Sequence, residues 1–266
     1  MIANYHTHNV YCGHAEGTIE EYTVKAIERG LLELGHSDHF PFCFDVLNDG
    51  RMKYEDLHIY LDEVERMKEK YKDKIKVFTG GEIEYLSDFG KYYERLLNSK
   101  AVDYFILGQH FYSPDGFKYV NVYVDFKNDN PPVMDYAKSC MDGMKTGYFL
   151  YLAHPDLIFL NDLVKGGKLS DECKRAISYM VDESVKNDYV LELNGGGYNC
   201  LEEFSDGMRH PYPVRYFWEE VAKTNIRCII GSDAHHPDAV YNKSHDELKE
   251  KALSMGLNLV ERLDID

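Results

Sequence analysis

Ile2-Ala3-Asn4-Tyr5-His6-Thr7-His8 sets the pattern from which the fold is read: a short run of strand length delivers residues of metal-ligand type at its end. The pattern recurs at His36-Ser37-Asp38-His39, Gly81-Glu82, Gln109-His110, Ala153-His154-Pro155 and Ser232-Asp233-Ala234-His235, while His14 stands outside such a run. Apolar runs of strand length cover residues 2–5, 32–35, 76–83, 104–107, 149–153, 190–193 and 228–230. Amphipathic helical patterns lie between them, at 18–29, 54–71, 132–146, 170–187, 214–224 and 245–255. Ser170 before Glu172, and Asp246 before Lys249, supply partial helix-start chemistry; Gly147 and Gly256 stand where helix ends need a left-handed residue. Strands alternating with helices predict parallel strands joined by crossover helices. Seven such units predict an α/β barrel rather than an open sheet. In a parallel barrel the loops at the C-terminal strand ends converge on one face, so chain order alone predicts that these ligand-type residues meet there.

The 266 residues fit one domain spanning 1–266, without a repeat or linker. A formal net charge of -16, from 46 acidic against 30 basic residues, argues against a phosphate-neutralising nucleic-acid surface. No apolar run approaches the roughly 20 residues that span a bilayer, and the first residues lack the basic region of a signal peptide. Cys12, Cys43, Cys140, Cys173, Cys200 and Cys228 are scattered without CxxC spacing. The expectation is a cytoplasmic chain with reduced thiols.

Neutral imidazoles mixed with Asp and Glu suit two or three divalent ions sharing a bridging carboxylate, which reads as a multinuclear metallohydrolase. Other residues near the pattern have plainer expectations. His36, inside a strand, is expected to be a hydrogen-bonded structural or supporting residue, and Asp38 to orient a ligand. His236 competes with His235 but falls outside the Asp233-x-His235 spacing. His58 and His245 read as solvated helix positions, His210 as a loop residue, and Cys12 as a small thiol rather than a ligand. The sequence offers no Cys-x5-Arg nucleophile loop, no Asp-x-Asp phosphotransfer start and no Gly-rich Lys-Ser/Thr nucleotide loop. The Gly80-Gly81 and Gly195-Gly196-Gly197 runs are expected to add backbone freedom beside the site.

The ordered set His6-x-His8, Ser37-Asp38-His39, Gly81-Glu82, His110, His154 and Asp233-Ala234-His235 closely resembles the polymerase and histidinol phosphatase (PHP) superfamily. The chain length, His154-Pro155-Asp156-Leu157-Ile158 and residues 209–213 look most like its stand-alone histidinol-phosphatase branch. The resemblance covers nearly the whole chain. It implies a distorted (β/α)7 TIM-like barrel holding three divalent ions, with zinc, iron and manganese all compatible with the donors. Carried over, His6, His8, Asp233 and a bridging Glu82 would hold one ion; Glu82, His110 and His154 a second; His14, His39 and His235 a third. The implied reaction is hydrolysis of a small-molecule phosphate ester, L-histidinol phosphate, to L-histidinol and phosphate in histidine biosynthesis. Glu82 and Asp233 would serve catalysis through the ions, and Arg209 would clamp phosphate with its bidentate guanidinium. The sequence departs from this branch near Phe159 or Leu160, where an arginine is usual; the next basic residue is Lys165. Another phosphate ester, a nucleotide, sugar phosphate or phosphodiester, is therefore the alternative reading, followed by a non-catalytic metal-bearing interaction domain. The aromatic segments 40–44 and 111–119, with Asp45 and Asp115, are candidates for holding an aromatic cationic substrate. Tyr5, Tyr11, Tyr112, Tyr198 and Tyr212 are candidate phenols near the site.

Overall fold

All seven expected strands form in the computed structural model, which describes residues 1–44, 46–123, 132–160, 168–200, 202–204 and 207–265, with backbone alone for 202–204 and 207–209. They are β1 (Ala3–Asn4), β2 (Glu33–His36), β3 (Lys76–Ile83), β4 (Tyr104–Leu107), β7 (Phe149–Leu152), β8 (Leu191–Asn194) and β11 (Arg227–Gly231). The numbers between belong to two small hairpins, β5 (Phe111–Tyr112) with β6 (Val120–Asn121) and β9 (Glu202–Phe204) with β10 (Gly207–Arg209). A short eighth strand, β12 (Asn258–Leu259), completes a parallel sheet in the order β1-β2-β3-β4-β7-β8-β11-β12.

The sheet curls until its ends meet. A parallel bridge pairs Thr7 with Ala234, and the His8 amide donates to the Ala234 carbonyl at 2.9 Å. Asn4 Nδ2 donates to Ser232 Oγ at 2.6 Å, tying β1 to the end of β11. At the opposite end β12 pairs with the start of β11, and the segment after it reaches Tyr5, whose hydroxyl accepts from the Leu263 amide at 3.2 Å. The result is the distorted seven-stranded barrel, with β12 filling its seam.

Period-two alternation divides the strands between two cores, except in β7, where the register shifts against β4 and Phe149 joins the outer layer although it shares the parity of Tyr151. Ala3, Tyr5, Phe78, Tyr104, Ile106, Tyr151, Val190 and Ile229 fill the lower interior, while residues of opposite parity join a larger apolar layer under the helices. Continuing the inward parity upward gives Gly80 and Glu82 on β3, Glu192 on β8 and Gly231 on β11. The interior thus changes from aromatic to ionisable towards the C-terminal rim. Gly80 and Gly81 have no left-handed φ. Their role is space: a Cβ at Gly80 would overlap Tyr104, and one at Gly81 would overlap Phe40. The glycines at 195–197 likewise open no loop; they begin a short helix, Gly195–Asn199, capped by the Asn194 side chain.

The helices follow the expected punctuation. Thr18 and Glu21 form a capping box for Ile19–Glu28, and Ser170 caps Asp171–Asn187 by accepting from the Cys173 amide. Gly147 and Gly256 take φ of 73° and 84° just past their helices. Lys243–Ser254 starts earlier than Asp246 suggests, because Asn242 is its cap and His245 completes the box. His245 is consequently buried, not solvated as expected. Helix Gly90–Asn98 had no counterpart in the sequence reading; it buries Tyr92, Tyr93 and Leu96. None of the six cysteines is in a disulfide. Among the described residues, no helix is long and apolar enough to cross a membrane.

Candidate metal centre

Glu82 enters the barrel mouth from the end of β3 and is 1% exposed. Its Oε1 lies 2.7 Å from His154 Nε2 and 3.5 Å from both His6 Nε2 and His110 Nε2. Its Oε2 lies 2.9 Å from His39 Nδ1 and 3.5 Å from His8 Nε2. Across the mouth, Asp233 Oδ1 lies 3.0 Å from His8 Nε2 and 3.5 Å from His6 Nε2 and His235 Nδ1. His14 joins at the rim, with its Nε2 3.1 Å from His235 Nε2.

Every ligand-type residue nominated from sequence therefore stands in one cluster. Among the described residues, four triads have donor atoms within 4.8 Å of one another: His6–His8–Asp233, His6–Glu82–His154, His39–Glu82–His110 and His8–His39–His235. In the last of these, His8 takes the place beside His39 and His235 that the resemblance gave to His14. Two cluster residues, His154 and Asp233, adopt left-handed φ of 28° and 47°, strain of the kind retained where a site fixes the backbone.

The donors fit divalent cations. His6 Nε2, His8 Nε2 and Glu82 Oε2 are buried, yet none completes a well-aligned hydrogen bond among the described residues. Burying a polar atom without a partner costs free energy that a bound cation would recover, and here three such atoms face one another in one cluster. Charge agrees. Burial alone would raise the Glu82 carboxyl, but the charges of His110, His6 and His39 and the hydrogen bond from His154 hold it well below the usual range. Asp233 is held low against burial by His6, His8 and His235. Burial opposes charging of His8, but Asp233, Asp38 and Glu82 raise it to about 9. His235 is pushed down to about 4 by burial and by His8. Anionic carboxylates amid protonatable imidazoles form a site that exchanges protons for cations.

Supporting residues surround the cluster. Asp38 lies 3.3 Å from His8 Nδ1 and accepts from the amides of His39 at 2.9 Å and Cys12 at 3.1 Å, the orienting arrangement expected of it. His36 faces away, its Nε2 3.0 Å from Thr23 Oγ1, and burial pushes it down to about 3. Cys12 Sγ points to the Asn9 carbonyl, and burial with the Asp38 charge pushes the thiol up to about 12. His236 is spent capping a surface turn, donating nothing to the centre. His210 stacks on Tyr198 at 4.2 Å.

Sequence reading missed four supports. Glu192 lies 2.7 Å from His6 Nδ1, and Asn194 Nδ2 donates to Asp233 Oδ2 at 3.2 Å. Glu84 lies 3.4 Å from His110 Nδ1 and takes both oxygens to Arg51 Nη2 at 2.9 Å. For Glu192 the available signal was a lone acid at an inward position of an apolar strand. Tyr123, stacked on His110 at 5.9 Å, was missed as well. Of the five nominated phenols, Tyr212 lies over Gly197 where the Asp233 charge reaches it. Tyr5 faces the lower barrel, bonded to Glu33 and Leu263, and Tyr11 packs against Tyr60. The Arg209 side chain, Asp45 and Lys165 lie outside the described residues. Phe159 is fully buried against Phe217, and Leu160 packs on the same core, so neither position faces the mouth.

A cavity of about 340 Å³ opens over the cluster, lined by His14, His39, His110, Asp233 and His235 together with Arg51, Phe111 and Tyr123. A larger hollow of about 530 Å³ between Phe42, Phe44 and Tyr54 contains no cluster residue. The cluster lies under the smaller one.

The profile of the PHP domain matches residues 4–196, more than half of the chain. The chain belongs to the PHP domain family. Asp233 and His235 lie beyond the matched segment, and barrel closure brings them against the cluster residues within it. This PHP domain protein is 27% identical over 254 residues to a Deinococcus radiodurans protein named probable histidinol-phosphatase, covering 94% of this chain and 92% of the relative. It is 22% identical over 252 residues to the histidinol-phosphatase of Bacillus subtilis, covering 86% and 92%. Two solved structures share its fold: the hisK product of Listeria monocytogenes (TM-score 0.72, 19% identity, 92% and 99% covered) and the histidinol phosphate phosphatase of Lactococcus lactis solved with zinc, L-histidinol and phosphate (0.70, 18%, 97% and 95%).

Proposed function

We propose that this PHP domain protein is a metal-dependent phosphomonoesterase that hydrolyses L-histidinol phosphate to L-histidinol and phosphate, a cytoplasmic step of histidine biosynthesis. The observation that carries the reading is the convergence of His6, His8, His14, His39, Glu82, His110, His154, Asp233 and His235 under one open cavity. Full-length relatives named for this activity support the substrate.

Those nine residues would hold three divalent ions, zinc being the reading favoured over iron or manganese. Bound ions would supply a water of lowered pKa and positive charge for the phosphoryl oxygens. The chain does the rest. Glu82, central to two of the donor triads, would bring neighbouring cations together, and Asp233 would balance charge on the opposite wall. Asp38 and Glu84 orient His8 and His110, so the donors need no reorganisation when phosphate arrives. Arg209 would clamp phosphate, while Tyr123 and Phe111 at the cavity wall offer faces for an imidazole.

A different phosphate ester is the second reading, favoured by the burial of Phe159 and by Leu160, where the histidinol-phosphatase branch usually has its arginine. Phosphate release from histidinol phosphate beside nucleotides, sugar phosphates and a phosphodiester, with metals counted by elemental analysis, separates the two. Strong selectivity for histidinol phosphate is expected. Weak or broad release from protein carrying about three ions would overturn the substrate and keep the hydrolase.

A further inference from the structure

Glu192 is fully buried on β8, and its carboxylate is satisfied by three partners. Oε1 lies 2.7 Å from His6 Nδ1. Oε2 accepts from the main-chain amide of His154 at 3.0 Å and from Asn194 Nδ2 at 3.0 Å. A main-chain amide only donates. The Asn194 amide cannot turn over either, because its Oδ1 accepts from the Gly196 amide at 2.8 Å and the Gly197 amide at 3.4 Å. With Oε2 occupied by two fixed donors, the favourable pairing for Oε1 is a proton on His6 Nδ1. The remaining lone pair of His6 is then at Nε2, the buried atom 3.5 Å from both Glu82 Oε1 and Asp233 Oδ1.

The backbone is shaped for this contact. Glu192 pairs with Ile229 on β11, and a Cβ two residues further, at Gly231, would overlap Glu192 Oε1. The same carboxylate holds the amide of His154, whose φ is 28°.

We infer that Glu192 is the positioning residue of the metal centre: it sets the tautomer of His6 so that Nε2 faces the cations, and it anchors the strained main chain of His154. This rests on the reading of His6 and His154 as ligands. Glutamine at position 192 cannot reproduce the arrangement. With its amide nitrogen towards His6, it demands the opposite tautomer; with that nitrogen towards His154 and Asn194, it opposes two donors.

The test uses zinc-loaded full chain. Glu192→Gln is expected to bind zinc about 10- to 100-fold more weakly in competition with a chelator, and kcat is expected to fall with little change in KM. In zinc-loaded wild type carrying 15N-histidine, the His6 resonances, assigned by their loss in His6→Gln, are expected to show the proton on Nδ1 and the metal on Nε2. A proton on Nε2, or wild-type zinc affinity in Glu192→Gln, overturns the inference. Should Glu192→Gln fail to fold, the wild-type spectrum decides alone. Undiminished zinc affinity in His6→Gln is a separate result: it removes the ligand reading on which the inference stands.

Discussion

Glu82 on β3 and Glu192 on β8 occupy equivalent places on opposite sides of the barrel. Each pairs with an isoleucine of the next strand, Ile106 or Ile229, and each carboxylate leans across a glycine two residues further, Gly108 or Gly231, where a Cβ would overlap it. Both are buried acids in apolar strands. Their hydrogen bonds differ. Glu192 meets a ring nitrogen, a main-chain amide and a side-chain amide, whereas Glu82 Oε2 finds no aligned donor among the described residues. Burial and charge alone therefore do not distinguish the proposed ligand from its support; the completeness of the hydrogen bonding does.

The strongest way to break the comparison is Glu82→Gln. Removing the shared carboxylate should lower turnover by more than the roughly 100-fold expected for a supporting residue and reduce bound metal, with the folded circular-dichroism spectrum retained. Equal kinetic losses in Glu82→Gln and Glu192→Gln would erase the distinction. Next come the glycines: Gly108→Ala should reproduce the metal loss of the Glu82 variant, and Gly231→Ala the milder loss at Glu192, each with about 1–3 kcal/mol of destabilisation in urea melts. Wild-type behaviour in both would show that the carboxylates do not need that space.

Chelation sharpens the same contrast. Saturating zinc at about 100 times its Kd should stabilise wild type by about 2.7 kcal/mol in thermal unfolding, an increment that Glu82→Gln loses and Glu192→Gln keeps in part. The smallest effect is a background correction. Burial pushes His245 down to about 4, so its unfolded form, near the ordinary 6.5, binds more protons in the window between those values. Stability is full above 6.5 and falls as pH drops. His245→Gln should remove about 1.4 kcal/mol of the loss between pH 7.5 and 5.5 in metal-free melts; an unchanged slope would refute it.

Much of this was legible because strands end where ligands begin. An apolar run stopping at His6, Glu82 or His154 marks both the strand and the rim, and the parallel topology does the gathering. Glu192 was harder to read: alternation from Val190 gives the face it takes inside an apolar run, but its partners His6 and His154 come to it only through barrel closure. The glycines at 80 and 81 looked like flexibility but serve close approach by Tyr104 and Phe40. His245 looked solvated because amphipathic spacing gives a helix face but not where its cap tucks in. Helix Gly90–Asn98 opens on glycine, a poor helix residue, and carries adjacent aromatics that blur its stripe.

The Thr7–Ala234 bridge gives the centre a place in time as well as in space. His6 and Ser232 are 226 positions apart, so a growing chain exposes its first imidazoles long before Asp233 and His235 are made. Until then the early donors have no opposing wall, and the full set exists only once synthesis has passed residue 235. A cation held by both walls would act as a clasp on the ring, and its presence would report that β1 has met the end of β11.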